Sequence, residues 1–561
     1  MKLYVGGVVR TMDRTLGVTE ALLVDSGRVL GVGAESAMRQ LAGRSAEVVD
    51  LGGRVIVPGF IDAHHHLSLA VLYEGAVDCR QVRSIPEMAE RLGAASKHVP
   101  AGEWIVGWGF DEHTLREGRP PTRVELDAAC PDHPTTVVHY SFHSVVASSR
   151  ALELAEIGRE TPDPPAGKIV RGKRGEPNGV LIETALSRVE ELARRSLAAR
   201  DGAGFIRRLA QYEERLFASG ITTIADPMVT PEIERIIREA KRQGRMRMPL
   251  VLMPIDEGGY LVPPVRRLEG APTGEGDDAL RIGPLKLVFD GGDACAMCLT
   301  AGQALGASVL TIGRVIASGS LAPVRAAMRG GGLRLGGDLK FRSGIRYYPE
   351  DADALSVVEP AVERGFSLAI HAMGNEAVDQ AIRVITAVRG RHRDFPPPRI
   401  EHATVVDDGL LARAREAGIT LVVQPALVDL FEDGGLPPLP GMRVMAHRSM
   451  LSHGVSVAAS SDAPVQGFAP LDGVRRAVDR GTVTPEEAIS AEEALSMYTR
   501  EAARACGVAD AGTLAPRMRA DFVILSGDPC VSVDGVMVDE TVLAGATVFE
   551  RGRPTPPASA A

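Results

Sequence analysis

The chain has 561 residues, 45% of them hydrophobic and 24% charged, with a net charge of −9. This length suits one large α/β domain with appendages rather than one small domain. The acidic balance is spread along the chain without a long single-sign run, which argues against a nucleic-acid partner and serves solubility.

The opening stretch "MKLYVGGVVRTMDRTLG" has no apolar core followed by a small-residue cleavage site, and no apolar run reaches the roughly 18 residues a membrane span needs. The expectation is a cytoplasmic enzyme with no membrane partner. Six cysteines in so long a chain do not make a disulfide framework, and the Cys295/Cys298 pair lacks the second pair or spaced histidine of a zinc knuckle.

Residues 1–56 read as short strands with tight Gly-rich turns: "KLYVGGVVRTM", "ALLVDSGRVLGVG", "AEVVDLGGRVIVPGF". The same texture returns over 508–553, in "GTLAPRMRADFVILSGDP" and "VDGVMVDETVLAGATVFERGRP". The two β-rich ends predict one small β-sandwich built from both termini, followed by a disordered tail at 554–561. The middle, 57–507, alternates short apolar runs with helical segments, as βα units do. Eight runs are candidate strands: "VIVPGFIDA", "PTTVVHYS", "GITTIADP", "PLKLVFDGG", "FSLAIHAMG", "PRIEHAT", "ITLVVQP" and "VSVAASSDAP". Eight such strands fit a (β/α)8 barrel. Helices are expected over 202–220, 230–244, 375–390 and 408–418, where apolar residues recur at helical spacing. About 150 residues separate the first and third runs, so 75–200 reads as an insertion over the barrel mouth. The Gly- and Pro-rich run 256–284 reads as a loop.

Several strands end on residues that ligate metals. His64, His65 and His66 close the first, Lys286 lies on "PLKLVFDGG", His371 closes "FSLAIH", His402 closes "PRIEH" and Asp462 closes "VSVAASSD". In a barrel the C-terminal ends of different strands converge on one mouth, so these residues can assemble a His/His/His/Asp site for a divalent metal such as zinc. His64 and His66 are two apart and point the same way on extended chain, which assigns them as ligands and leaves His65 as a neighbour. A bulge at this strand end would make His65 an alternative ligand.

"PGFIDAHHHL", "IHAMGNEAVDQAI", "RIEHA" and "SSDAP", in this order, resemble the amidohydrolase superfamily. "GWGFDEH…GRPPTRVELDAACPDHP", "GEPNGVLIE" and "KLVFDGG" narrow the resemblance to the family 3 branch, which includes N-substituted formamide deformylases. It covers nearly the whole chain and implies a distorted (β/α)8 barrel with a composite β-sandwich. By that resemblance His64, His66 and Asp462 bind one metal, most often Zn2+. His371 and His402 bind a second metal or complete a single site. Lys286 sits where two-metal members carry a carbamylated bridging lysine; the alternative is a lysine paired with Asp290 or Asp293. A free ammonium has donors and no lone pair, so only the carbamate would ligate.

The implied activity is hydrolysis of a non-peptide C–N bond (an N-substituted amide, formamide, carbamate or cyclic amide) by metal-activated hydroxide, with Asp462 as proton shuttle. Ester hydrolysis or decarboxylation on the same site, or a non-catalytic scaffold, are the other readings. His143, in "YSFHSVVASS", matches a family position close to the substrate, and Trp108 and Asp111 in "GWGFDEH" are further substrate-facing candidates. Asn375 stands where relatives often carry Asp, which predicts an altered hydrogen bond or a shifted helix cap. The partner is a small-molecule substrate, and a homodimer is compatible with the sequence.

Overall fold

A computed structural model describes residues 1–553 except 201, 257–266, 293, 320–323, 325–331, 393 and 433–438. The expected tail and Asp293 lie outside the described residues.

Eight parallel strands carry the site: β1 (Phe60–Asp62), β2 (Ile221–Val229), β3 (Leu250–Pro254), β4 (Leu285–Val288), β5 (Leu368–Ala372), β6 (Arg399–His402), β7 (Thr420–Val423) and β8 (Ser456–Ala459). They fall in two sheets. One has the order Leu280–Ile282, β3, β2, β1; the other has β4, β5, β6, β7, β8. β1 and β8 meet through Ala63 N–H to Ala459 O (3.4 Å) and Asp462 N–H to His64 O (2.9 Å). Nearly every side chain of these strands is buried, which explains why they read as continuous apolar runs rather than as alternating ones. Ile61, Ala225, Val251, Ala369, Val422 and Ala458, from six different strands, pack into a single buried cluster.

One of the eight expected strands belongs elsewhere. "PTTVVHYS" forms Thr135–His139, in a separate six-stranded sheet spanning residues 77–183, paired parallel to Ile105–Phe110 and antiparallel to Ser144–Ala147. Its place in the parallel set is taken by β3. Both segments are short and buried on both faces, so periodicity cannot say which sheet either one joins. The run 256–284, read as a loop, lies partly outside the described residues and contains the strand Leu280–Ile282.

Strands from both ends of the chain share one six-stranded sheet. Its order is Val18–Thr19, Val8–Arg10, Val55–Pro58, Phe522–Leu525, Val538–Leu543, Ala546–Glu550. Val55–Pro58 pairs antiparallel with Phe522–Leu525, and Gly59 N–H donates to Asp521 O at 2.9 Å. The four expected helices are present as Gly202–Ala218, Pro231–Arg242, Asn375–Arg391 and Asp408–Glu416. Two helices matter below: α1 (Ala301–Ser318) and α2 (Asn375–Arg391). No helix among the described residues is long and apolar enough to cross a membrane.

Candidate metal centre

The chain past β1 bends after Asp62, and the three histidines part company. His64 and His66 turn their rings toward Asp462, 5.1 Å apart centre to centre. His65 turns away. Its Nδ1 lies 3.0 Å from Asp62 Oδ2 and its Nε2 2.9 Å from Tyr212 Oη, so both ring nitrogens are committed to structural bonds. The "HHH" register therefore has no bulge that would present His65 as a ligand.

Donor atoms of His64, His402 and Asp462 lie within 4.8 Å of one another, and all three residues are buried. His64 Nε2 is 3.4 Å from Asp462 Oδ1 and 3.4 Å from Lys286 Nζ; His66 Nε2 is 3.3 Å from the same Asp462 oxygen. His371 stacks edge-on against His402 with ring centres 4.5 Å apart. His66, Lys286, His371, His402 and Asp462 line one cleft, together with His143, Phe142, Glu190 and Arg194. The backbone turns sharply at two of these positions: His402 has φ 73° and Asp462 φ 59°. Left-handed conformations cost non-glycine residues about 1–3 kcal/mol, and they persist where surrounding structure over-determines them, often at functional sites.

The outer partners explain the orientations. His64 Nδ1–H donates to Glu401 Oε2 at 2.5 Å, and Arg399 holds that carboxylate through Nε (2.5 Å) and Nη2 (2.8 Å). His402 Nδ1–H donates to Gln424 Oε1 at 2.8 Å. Each bond fixes a tautomer whose Nε2 lone pair is left for the site. His66 Nδ1 is buried without a hydrogen-bond partner among the described residues. Asp290 accepts backbone N–H groups from Ala296, Met373 and Gly374 and lies 3.6 Å from His371 Nε2.

Burial pushes the His64 imidazole down to about 3 and holds His66, His371 and His402 below the usual histidine range. They are neutral at physiological pH, as ligands must be. Burial drives Lys286 down to about 8. For Asp462 burial acts upward, but His66, His402 and His64 outweigh it and keep the carboxyl below the usual range. Four neutral imidazoles around one ionised carboxylate form a donor set that fits a divalent cation.

The other candidates divide. His143 lines the cleft; its Nδ1 lies 2.8 Å from Glu183 Oε2, which also accepts Tyr347 Oη–H at 2.6 Å. Trp108 does not line the cleft but stacks behind Phe142, which does (ring centres 6.0 Å), with the Arg80 guanidinium 4.9 Å over its ring. Asp111 is also away from the lining; it accepts His113 N–H at 2.8 Å and sits beside Glu112 and His139. Asn375 uses its amide both ways: Oδ1 accepts Cys298 N–H (2.9 Å) and Nδ2 donates to Cys298 O (2.8 Å). An ionised Asp would offer no donor for the second bond. Sequence reasoning passed over Glu401, Arg399, Gln424 and Glu183. Two charges two residues apart on the buried strand "RIEH" were the available signal, because strand neighbours at i and i+2 share a face.

A model of the amidohydrolase family matches residues 47–549. The chain belongs to the amidohydrolase family. It is a hydrolase that acts on carbon–nitrogen bonds. It is 30% identical to the N-substituted formamide deformylase of Arthrobacter pascens, over 97% of each chain. It is 28% identical to the protein LONG AFTER FAR-RED 3 of Arabidopsis thaliana, over 93% of this chain and 87% of that one. Among solved structures, an uncharacterized metal-dependent hydrolase from Pyrococcus horikoshii matches with TM-score 0.69 and 24% identity, over 95% of this chain and 99% of that one. An atrazine chlorohydrolase from Arthrobacter aurescens, complexed with zinc and atraton, matches with TM-score 0.52 and 16% identity, over 99% and 96%.

Proposed function

We propose that this amidohydrolase cleaves a non-peptide C–N bond in an N-substituted amide, with formamides the first substrates to test, at a zinc centre held by His64, His66, His371, His402 and Asp462. The observation that carries this is the convergence of neutral imidazoles and one carboxylate, drawn from β1, β5, β6 and the turn after β8, on a single cleft. The name of the Arthrobacter relative supports the formamide choice. A divalent cation bound there supplies Lewis acidity and lowers the pKa of a water to about 7.

The residues supply the rest. Asp462, ionised at neutral pH, accepts a proton from the attacking water and delivers it to the leaving nitrogen. Glu401 and Gln424 hold the imidazoles of His64 and His402 in one tautomer through both steps. His143, braced by Glu183 and with its ring centre 5.6 Å from that of His371, lines the cleft where the substrate would sit. Trp108 acts on the substrate through Phe142, and Asp111 through the turn it holds at His113. With a pKa near 8, about a tenth of Lys286 is neutral at pH 7, the form that adds CO2 to give a carbamate ligand for a second metal.

The fold reading goes with this. The two parallel sheets form one distorted (β/α)8 barrel over 57–507, supported by the bonds between β1 and β8 and by the cluster shared among six strands. Residues 75–200 are its insertion, and 1–56 with 508–553 make the composite β-sandwich, supported by the sheet that joins both ends. Six free cysteines suit the reducing cytoplasm.

The test is metal content by elemental analysis, beside amine release from N-substituted formamides. Two zinc equivalents, falling in Lys286→Ala, support the carbamate-bridged pair. One equivalent that survives Lys286→Ala means a single-metal site with a structural lysine. Protein that takes up no metal after reconstitution refutes the proposal.

A further inference from the structure

The large apolar side chains that this fold leaves in solvent are concentrated in one excursion, between β4 and β5. Of nineteen such residues among those described, eight lie between 305 and 339. Five are on α1, which opens with a capping box between Thr300 and Gln303. Among the described residues its first turns supply the anchor: Ala304 is buried in a cluster with Met297, Leu299 and Leu439, and Gln303 Nε2–H donates to Pro440 O at 2.7 Å. Beyond that root Leu305, Val309, Ile312 and Ile316 are 67%, 59%, 57% and 78% exposed.

The spacing of those four is four, three, four, which lines them up as a single seam on one face, the pattern by which one helix packs along another. An apolar patch of this kind on a soluble protein marks an interaction surface. The charge is also unusual. From 294 to 337 there is no Asp or Glu and there are four Arg, so this stretch carries +4 in a chain of −9.

We propose that α1 is the contact between two copies of this chain, packed antiparallel against its symmetry mate about a two-fold axis. The seam is self-complementary, as an isologous contact requires. It bears no charge of its own, and the stretch that holds it is basic by composition while the rest of the chain carries −13. The four seam residues and Leu310 beside them expose on the order of 500 Å² per copy, so covering all five buries about 1,000 Å² in total, the size at which specific interfaces begin. A bilayer surface is the less suitable occupant, because a helix lying in a membrane interface has a polar face rich in Lys and Arg, and α1 has one arginine in 18 residues.

Sedimentation velocity of the full-length protein tests this. Wild type is expected to sediment at twice the 59.5 kDa chain mass. Ile312→Glu/Ile316→Glu is expected at the single-chain mass with an unchanged far-UV spectrum, and Leu305→Ser/Val309→Ser gives the same reading should the glutamate pair misfold. Val531→Glu, at an 84% exposed site away from α1, is expected to remain dimeric. The proposal falls if wild type is monomeric at tens of micromolar, or if the dimer survives both α1 pairs. It also falls if monomeric wild type floats with phosphatidylglycerol–phosphatidylcholine vesicles and the α1 pairs do not.

Discussion

Two clusters of histidine and carboxylate occur among the described residues, and they are laid out differently. In the first, His64, His402 and Asp462 stand at the ends of parallel strands, each imidazole having spent its Nδ1 on Glu401 or Gln424. The atoms that face one another, His64 Nε2 with Asp462 Oδ1 and Lys286 Nζ, stay 3.4 Å apart, too far for a strong direct bond. In the second, Asp111, Glu112 and His139 lie in the sheet of residues 77–183. His139 Nε2 meets Glu112 Oε2 at 3.0 Å and His139 Nδ1 meets Ser141 Oγ at 2.7 Å. That ring is closed at both ends by protein partners. The residue types are alike; what separates a metal site from an ion pair is whether outer partners take one nitrogen of each ring and leave the other facing the remaining donors.

The sharpest way to break this contrast is at Asp462. Asp462→Asn keeps the shape and removes the proton acceptor, and kcat for amide cleavage is expected to fall about 10³- to 10⁴-fold. A loss under tenfold, measured by amine release, would move the proton shuttle elsewhere. Next is the outer partner. Glu401→Gln leaves His64 without its charged anchor and Arg399 without its counter-charge, and zinc affinity is expected to drop about 10- to 100-fold in a chelator competition. Unchanged affinity would mean that the buried Arg399–Glu401 pair is purely structural.

A third prediction concerns Asp226, a buried carboxyl between the two clusters in size of effect. Its only side-chain partner among the described residues is the Ser68 hydroxyl, and burial pushes it up to about 7. The unfolded chain releases this proton near pH 4 and the folded chain holds it to about 7. The group's contribution to stability therefore falls as pH rises through that window and stays low above it. Asp226→Asn is expected to flatten the decline and to be more stable than wild type at pH 8, by up to a few kcal/mol. Parallel denaturation curves at pH 5 and pH 8 would refute this. The smallest effect on metal is expected at the second cluster: His139→Gln should lower stability, because it takes the His139 partner from the buried Glu112, and leave zinc content unchanged, since the pair there orders a loop and holds no metal. Loss of a zinc equivalent in that variant would erase the distinction between the clusters.

Much of this was legible in the chain. His64, His66, His371, His402 and Asp462 stood out because each closes an apolar run, and strand ends gather at one mouth. The helices were legible from their spacing, with ends within about two residues. β3 was missed because "LVLMP" is as short and as buried as the strand at 135–139, and sheet membership is decided by long-range pairing. Glu401 and Gln424 were missed because the histidines they hold, 337 and 22 residues away, meet them only across neighbouring strands, so the charge pair on "RIEH" says that the strand buries a polar contact but not with what. Asn375 was noticed as a departure, but its reason is the backbone of Cys298, a contact made only once the excursion after β4 has folded back.

The pairing of Val55–Pro58 with Phe522–Leu525 has a consequence for how the protein is made. At about 5–20 residues per second, a ribosome needs roughly half a minute to a minute and a half to travel from the first of these strands to the second. Through that interval "VIVP" has its neighbour Val8–Arg10 on one side and a bare apolar edge on the other. The strand leading into His64 is thus among the earliest parts translated and among the last secured, and a nascent chain stalled before residue 522 would present that edge to chaperones or to its neighbours on the same polysome.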